Sequence, residues 1–313
     1  MDKKKSLPFR HSLSSQRQNE EVRPVFWSNK PQSYRERTQN WDEFPNGRWG
    51  LSKSPAFDQD EGFVSFSKKY IRSNIKEKLG QWGQKIHSLS QVSEVFTNFL
   101  SGKIKRFPFS EGSLALETED ISEFLLYLNK NKILTINSQP QVNGAKSTHP
   151  KYGWGPERGY VYQKAYYEFF IHPSLILPLI NYLNNFEDIS YQAINFQGES
   201  FQNVEDENIN AITWGVFNNH EIIQPTVVDH QAFLIWKDEC FRTFTETWAA
   251  IYKPQKDKEG NLTGGDDESI KFLTQCRDTL FLVNVVQNDF IGGDLNKILE
   301  QFVTEHQEAI NKL

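Results

Sequence analysis

Two segments of the chain carry apolar residues at helical spacing. In "QVSEVFTNFLSG", Val92, Val95, Phe96 and Phe99 recur every three or four positions, and Gly102, a common helix terminator, follows. The segment "ETEDISEFLLYLNKNK" repeats this spacing after an acidic first turn, which suits the positive end of a helix dipole. The pattern therefore predicts two amphipathic helices.

Other segments have the composition of strands. "KILTINSQPQVNG" (132–144) begins as an apolar run and ends in uncharged hydrogen-bonding side chains just before Pro140. "GYVYQKAYYEFFI" (159–171) fits a strand, a helix or one after the other, whereas "SYQAINFQG", "NAITWGVF" and "EIIQPTVVD" favour strands. Residues 232–252 and 294–312 favour helices. Because strands and helices are mixed without a strict βαβ repeat, the sequence predicts an α+β fold.

The N-terminal part of the chain differs from the rest. "RHSLSSQRQNEEVRP" (10–24) is polar and has no period, so it can bury little surface. From Trp41 the chain becomes rich in aromatic residues and turn formers. We therefore expect residues 1–40 to form an extended linker arm and residues 41–313 to form the folded domain.

Composition narrows the possible partners and the compartment. With 313 residues, 37% of them hydrophobic, the chain can bury a core, and its net charge of -5 provides no basic field for nucleic acid or an anionic membrane. No apolar stretch has membrane-spanning length, and "MDKKKSLPF" lacks the apolar part of a signal peptide. Cys240 and Cys276 are too few for a disulfide framework, so we expect two reduced thiols in a cytoplasmic protein.

The motifs that could carry catalysis fail on inspection. "GWGPERG" (153–159) has the wrong glycine spacing for a phosphate-binding loop and contains Pro156, so it reads as a turn. The seven histidines are scattered without metal-ligand spacing, and we predict no metal site. The sequence also contains no Gly-x-Ser-x-Gly motif and no clustered Cys and His pair for covalent catalysis.

Hydroxyl-bearing residues stand out at the ends of several predicted elements. Glu117 and Thr118 precede the second helix, and Thr213 and Thr226 lie among apolar residues of predicted strands. Helix capping and the strand preference of threonine explain these positions without any ligand. The residues alone leave that interpretation and a binding site both open.

Several long segments of the sequence favour the binding site over the purely structural interpretation, because they resemble a known family. Together they closely resemble the C-terminal regulatory domain of eukaryotic methylenetetrahydrofolate reductase: "RTQNWDEFPNGRWG", "SPAF", "LTINSQP", "GWGP", "GYVYQKAYYEFF", "TWGVF", "EIIQPTVVD" and "WKDE". The resemblance runs from about Leu7 to the last helix. It implies an α+β fold in which two mixed β-sheets lie side by side, flanked by helices. It also implies that S-adenosylmethionine, or S-adenosylhomocysteine, binds as an effector.

The resemblance assigns ligand contacts residue by residue. Phe9 stands where the family has Trp, and Ser28 where it has Ala, which shrinks a stacking surface and adds a hydroxyl. Glu117 is expected to balance the positive charge of the ligand. The implied ligand-binding residues are Pro8, Phe9 and Ser28 in the arm; Ser110, Ala115, Leu116, Glu117 and Thr118; Thr135, Ile136, Asn137, Ser138 and Gln139; and Thr213 and Thr226.

The resemblance also implies a mechanism and partners. The family's reductase activity lies in a catalytic barrel that binds FAD, NAD(P)H and the folate, and no barrel is visible in this chain, so we expect no reduction by the chain itself. The arm from Leu7 to Pro24 would move with ligand binding and block that barrel, in cis or in trans. A homodimer is expected. One alternative is a remnant that dimerises but binds no ligand. The other is an S-adenosylmethionine-dependent methyltransferase, although the sequence lacks the strand and glycine-rich turn expected of that class.

Overall fold

The computed structural model describes most of the predicted domain and a short part of the arm. Its described residues are 27–28, 75–104, 107–109, 116–146, 149, 151, 160–203, 214–218, 221–222, 227–228, 237–238, 240–256, 262–263, 265–287 and 294–313.

The described helices include both that the apolar spacing predicts. Ser88 begins the first of these, because its hydroxyl accepts a hydrogen bond from the backbone N–H of Gln91, and Gly102, with φ of 73°, follows its end. The second differs at its start, where the acidic turn forms a 3₁₀ helix, Leu116–Ile121, that leads into the α-helix. The α-helices are α1 (Ile75–Trp82), α2 (Leu89–Leu100), α3 (Ser122–Lys130), α4 (Pro173–Leu183), α5 (Asp267–Thr279), α6 (Leu295–Glu305) and α7 (Gln307–Asn311).

The segment 232–252 was expected to be helical, and its described part is helical but irregular. A π-helix, Thr243–Trp248, is followed directly by a 3₁₀ helix, Ala249–Tyr252. In the described part of the chain, no helix combines the length and the apolar character needed to cross a bilayer.

A five-stranded antiparallel sheet forms the centre of the described fold. The strands are β2 (Leu134–Gln139), β5 (Tyr166–Ile171), β6 (Ile189–Asn195), β7 (Ser200–Gln202) and β13 (Phe281–Gln287). Their order in the sheet is β2-β5-β13-β6-β7, so the last described strand lies in the middle of the sheet.

A second sheet has four strands in the order β3-β4-β8-β9. Residues 159–171, which fitted either strand or helix, therefore supply one strand to each sheet. The strands are β3 (Val142–Lys146), β4 (Tyr160–Gln163), β8 (Trp214–Asn218) and β9 (Glu221–Ile222). Two short pairs join β1 (Trp27–Ser28) to β10 (Val227–Val228), and β11 (Gln255–Lys256) to β12 (Leu262–Thr263).

The structure bears out the α+β class but differs from the expected sheet type. Each strand pair of the described residues is antiparallel, whereas mixed sheets were expected. The physical reason is that β2 and β3 run back alongside β4 and β5, and β13 then enters between β5 and β6 in the opposite direction to both.

Buried side chains form two clusters, one on each face of the five-stranded sheet. Alternate residues of β5 divide between them: Tyr166 and Phe170 belong to the first cluster, and Tyr167 and Phe169 to the second. Helices α2 and α5 and residues 240–252 complete the first cluster, while α3, α4 and α6 complete the second. The sheet is therefore covered on both faces.

Both cysteines lie in the first cluster as free thiols, as the sequence predicts. Cys240 and Cys276 are buried and unpaired with each other. Burial raises the pKa of the Cys276 thiol to about 12, so this side chain packs as a small apolar group.

The N-terminus of α5 is tied to the loop between α1 and α2. Ser269 donates hydrogen bonds from its backbone N–H and its hydroxyl to the Asp266 carboxylate, at 3.2 and 2.7 Å, and its hydroxyl accepts one from the Ile86 N–H at 2.8 Å. His87 Nε2 lies 3.2 Å from Asp266 Oδ2. His87, Asp266 and Glu268 each offer a possible metal-ligand atom, and these three atoms lie within 4.8 Å of one another. No spacing in the sequence indicated this group. Asp266 is already committed as the cap of α5.

These bonds make the contribution of Asp266 to stability dependent on pH. Partial burial opposes its ionisation, but the bonds from Ser269 and the contact with His87 outweigh that effect and hold the Asp266 pKa below its ordinary value of 3.8. The contribution is therefore fully present above the ordinary pKa and is lost as pH falls through the lower folded-state pKa.

Replacing Asp266 tests this capping charge. We expect Asp266→Ala to lower the free energy of unfolding by about 1 kcal/mol at pH 7, since the cap is removed. Asp266→Asn keeps a capping oxygen without the charge, so its deficit relative to the parent chain should shrink as pH falls from 5 to about 3. Urea unfolding across this pH range measures both effects, and a deficit independent of pH would contradict the assignment.

Candidate functional site

Strand β2 and the 3₁₀ helix Leu116–Ile121 bring together two groups of predicted ligand-binding residues. The helix packs against β2, although the two segments are separated by the whole of α3. The structure thus joins Leu116, Glu117 and Thr118 of the helix with Thr135, Ile136, Asn137, Ser138 and Gln139 of the strand.

A β-bulge gives β2 an unusual pattern of side chains. The pairing register with β5 shifts between Thr135 and Asn137, so that Thr135 is opposite Phe169 and Ser138 is opposite Tyr167. Phe169 and Tyr167 are two residues apart and belong to the same cluster, so Thr135 and Ser138 lie on one face of the sheet. In a regular strand, residues three apart would lie on opposite faces. The bulge therefore brings the two hydroxyls to the same side.

Two of the predicted hydroxyls are buried without a partner. Thr118 and Ser138 are both 0% exposed, and neither Thr118 Oγ1 nor Ser138 Oγ has a hydrogen-bond partner within the described part of the chain. Such a group costs roughly 1–3 kcal/mol, and for that reason nearly all buried polar groups are bonded. Two unsatisfied hydroxyls on adjacent elements fit a ligand with neutral polar edges.

Thr135 differs because its hydroxyl has a protein partner. Asn129, in the last turn of α3, donates from Nδ2 to Thr135 Oγ1 at 2.6 Å and accepts from the Thr135 N–H at 3.1 Å. Both residues are fully buried. Asn129 is not among the residues predicted from the sequence, although its position is a signal: it lies four residues after Leu125 and next to Leu128, on the apolar stripe of the helix.

The acidic residues of the 3₁₀ helix are partly neutralised. Lys151 Nζ lies 2.5 Å from the Asp120 carboxylate and 3.4 Å from that of Glu119. Desolvation lowers the pKa of Lys151, but these two acids outweigh it and raise the pKa overall. Of the three acids in this helix, Glu119 and Asp120 are therefore already paired with a cation.

Two residues of the predicted arm are described, and they form a strand that pairs with β10. In β1, Ser28 is opposite Val227 and Trp27 is opposite Val228. In the sequence, Thr226, another predicted ligand-binding residue, directly precedes Val227. Thr213 directly precedes β8. The predicted contacts that lie outside the described residues are Pro8, Phe9, Ser110, Ala115, Thr213 and Thr226.

Comparison with known proteins identifies the family. The family described as "MTHFR, SAM-binding regulatory domain" matches residues 4–311. Methylenetetrahydrofolate reductase (NADH) 1 of Zea mays is 42% identical over 292 residues, which cover 92% of this chain and 46% of the maize protein. Methylenetetrahydrofolate reductase 1 of Schizosaccharomyces pombe is 42% identical over 283 residues, covering 90% of this chain and 44% of that protein.

A third relative gives the same result. Methylenetetrahydrofolate reductase 2 of Saccharomyces cerevisiae is 41% identical over 291 residues, covering 92% of this chain and 46% of the yeast protein. The chain thus spans a little under half the length of these relatives. It belongs to the family of S-adenosylmethionine-binding regulatory domains of methylenetetrahydrofolate reductase.

Proposed function

We propose that this chain is an allosteric sensor that binds S-adenosylmethionine and thereby inhibits a separate catalytic barrel. That barrel would reduce 5,10-methylenetetrahydrofolate to 5-methyltetrahydrofolate with FAD and NAD(P)H, and the chain itself would not catalyse the reduction. The observation that carries the proposal is the pair of buried hydroxyls, Thr118 and Ser138, without partners among the described residues. Family membership agrees with it.

The residue types suit the ligand. Adenosine presents a flat base and ribose hydroxyls, and the methionine part presents an ammonium, a carboxylate and a cationic sulfonium. Neutral hydroxyls can donate to or accept from each polar edge, and Glu117 would balance the positive charge. Pro8 and Phe9 would cover the ligand as an apolar lid. The remaining proposed contacts are Ser28, Ser110, Ala115, Leu116, Thr118, Thr135, Ile136, Asn137, Ser138, Gln139, Thr213 and Thr226.

The arm would transmit occupancy of the site to the barrel. We propose that residues 1–40 are a linker arm with two arrangements and that residues 41–313 are the sensing domain. The pairing of Ser28 with Val227 supports this, because it joins the arm to the strand that follows Thr226. A ligand that contacts both arm and domain favours the docked arrangement by its difference in affinity for the two.

We also propose that the two larger sheets lie side by side. Only Pro140 and Gln141 separate β2 from β3, and only Lys164 and Ala165 separate β4 from β5. The β2–β3 and β4–β5 connections therefore pass from one sheet to the other side by side, as expected if the two sheets are adjacent. Finally, we propose that the chain forms a homodimer in the cytoplasm, as the family resemblance implies.

Ser138→Ala should change stability and affinity in opposite directions. Removing a buried hydroxyl that has no described partner should raise the free energy of unfolding of the ligand-free chain by up to about 1 kcal/mol. The same change should weaken S-adenosylmethionine binding about fivefold, since one hydrogen bond to the ligand is lost. Urea unfolding and isothermal titration measure the two effects.

The matched control for Ser138→Ala is Ser93→Ala. The Ser93 hydroxyl is also buried, but it donates to the backbone carbonyl of Asn129, so its loss should destabilise the chain. If Ser138→Ala destabilises the ligand-free chain as Ser93→Ala does and leaves affinity unchanged, Ser138 does not face the ligand.

Glu117→Gln should weaken S-adenosylmethionine binding about tenfold or more, because a charge-assisted hydrogen bond becomes a neutral one. Glu123→Gln is the control, since it removes an exposed charge from the first turn of α3. Isothermal titration of both variants, with S-adenosylmethionine and then S-adenosylhomocysteine, gives the comparison. Equal affinities for Glu117→Gln and the parent would remove Glu117 from the site.

Deleting residues 1–9 should abolish or strongly weaken saturable binding, because Pro8 and Phe9 are proposed to cover the ligand. The same titrations measure it, with circular dichroism to show that the shortened chain is folded. Undiminished affinity would separate the arm from the ligand. A folded parent chain that binds neither ligand would overturn the sensor and favour a dimerisation remnant.

A further inference from the structure

We propose that helix α7 clamps the turn between α3 and β2, and that Lys132 and Gln307, which form the clamp, are positioning residues of the ligand site. The clamp sets the separation of the Thr118 and Ser138 hydroxyls, which lie on the two segments that the turn connects. The inference deepens the proposed function and rests on it, because these hydroxyls are two of the proposed ligand contacts.

The turn after α3 has an unusual residue at a position that normally belongs to glycine. Helices α2 and α3 both end in a Schellman motif, in which the two residues after the cap donate backbone hydrogen bonds to carbonyls of the last turn. The first of these two residues is left-handed, and it is Gly102 after α2, with φ of 73°, but Lys132 after α3, with φ of 61°. In the described part of the chain, Lys132 is the one residue other than glycine with a positive φ. A contribution from its side chain therefore has to offset the backbone strain.

That side chain reaches α7. Lys132 Nζ donates a hydrogen bond to the backbone carbonyl of Ile310 at 2.9 Å. Ile310 is buried in the second cluster, and its carbonyl lies in the last turn of α7, where a helix leaves carbonyls without an intrahelical partner. A lysine is favourable at this end of a helix. The bond therefore fixes the turn to a helix that is itself anchored in the core.

A second bond from α7 reaches the same turn. Gln307 Nε2 donates to Asn131 Oδ1 at 3.0 Å, and Asn131 directly precedes Lys132. The orientation of the Asn131 amide is fixed, because its Nδ2 donates at 2.9 Å to the Tyr127 carbonyl, which can only accept. Helix α7 thus holds both residues of the turn.

The turn lies at the closed end of a hairpin, and the two hydroxyls lie towards its open end. The chain rises about 20 Å from Thr118 to Lys130 and returns about 20 Å from Lys132 to Ser138, given the rises of the two helix types and of a strand. The contact between the 3₁₀ helix and β2 agrees with this. A rotation of about 3° at the turn would displace the open end by about 1 Å, more than the spread of hydrogen-bond lengths in proteins. Holding the turn therefore controls how well both hydroxyls meet one ligand.

Lys132→Gly separates positioning from stability. Glycine keeps the left-handed turn and relieves its strain, which offsets the lost bond, so the unfolding temperature should stay within about 3 °C of the parent's. S-adenosylmethionine affinity should nevertheless fall about fivefold, since the turn is no longer held. Isothermal titration and thermal unfolding of the 313-residue chain measure the two effects. Lys130→Ala, which removes an exposed lysine from the last turn of α3, is the control for charge and should bind within about twofold of the parent.

Gln307→Ala tests the other half of the clamp and leaves Lys132 in place, so it also serves if Lys132→Gly does not fold. Its affinity should fall about threefold, because one of the two bonds to the turn remains. The matched control is Gln301→Ala. Gln301 is exposed, and its amide donates to Glu305 of the same helix, so this change should leave affinity within about twofold of the parent.

A double-mutant cycle tests whether the clamp acts through the hydroxyls. Their separation matters only when both are present. In the Ser138→Ala background, Lys132→Gly should therefore change affinity by less than about twofold.

The outcomes distinguish this inference from the proposed function. A folded parent chain that binds no S-adenosylmethionine overturns both. If the parent binds and either Lys132→Gly or Gln307→Ala binds equally well, only the clamp falls. A loss for Lys132→Gly that persists in full in the Ser138→Ala background would also overturn it, since the turn would then act independently of the hydroxyls.

Discussion

The β-bulge in β2 is the constraint on which the candidate site depends. A strand that alternates regularly cannot place Thr135 and Ser138 on one face. In β2, however, each of them pairs across to a residue of β5 that belongs to the second cluster. The extra residue, Ile136, is itself buried in the first cluster, so the bulge leaves no apolar side chain of this segment exposed to solvent. The bulge and the turn fixed by Asn129 together set where each hydroxyl of β2 lies.

The sheet holds this irregular strand in register through a polar row. Asn137, Glu168, Asn284, Gln192 and Gln202 are directly opposite one another across all five strands. The three central members are buried, and their neighbours along each strand are mainly aromatic or aliphatic. A slip of one residue would turn a carboxylate or an amide from the face of the first cluster to that of the second and away from the other members of the row, so the row disfavours alternative registers.

Sequence reasoning found the parts that follow a local period and missed those that depend on tertiary contacts. The spacing of Val92, Val95, Phe96 and Phe99 predicts α2 because each lies on one buried face. Periodicity could not show the bulge, since an extra residue looks like any other apolar position. Asn129 was missed for the opposite reason. A polar residue on an apolar stripe stands out in the sequence, but its role cannot be predicted until its hydrogen-bond partner is known. The ligand-binding set itself came from family resemblance. The structure brings together the members on the 3₁₀ helix and those on β2, and it pairs Ser28 with Val227.

The proposed sensor can convert binding into inhibition only if the ligand favours one arrangement of the arm. The buried hydroxyls of Thr118 and Ser138 reduce the stability of the ligand-free domain, and a ligand that satisfies them recovers that free energy on binding. Contacts within the domain alone would be the same with the arm docked or released and would shift nothing. Coupling therefore has to come from the arm, and β1 pairs with β10, the strand that follows Thr226 in the sequence. A ligand held between the arm and this strand would bind the docked arrangement more tightly, which is the difference in affinity that inhibition requires.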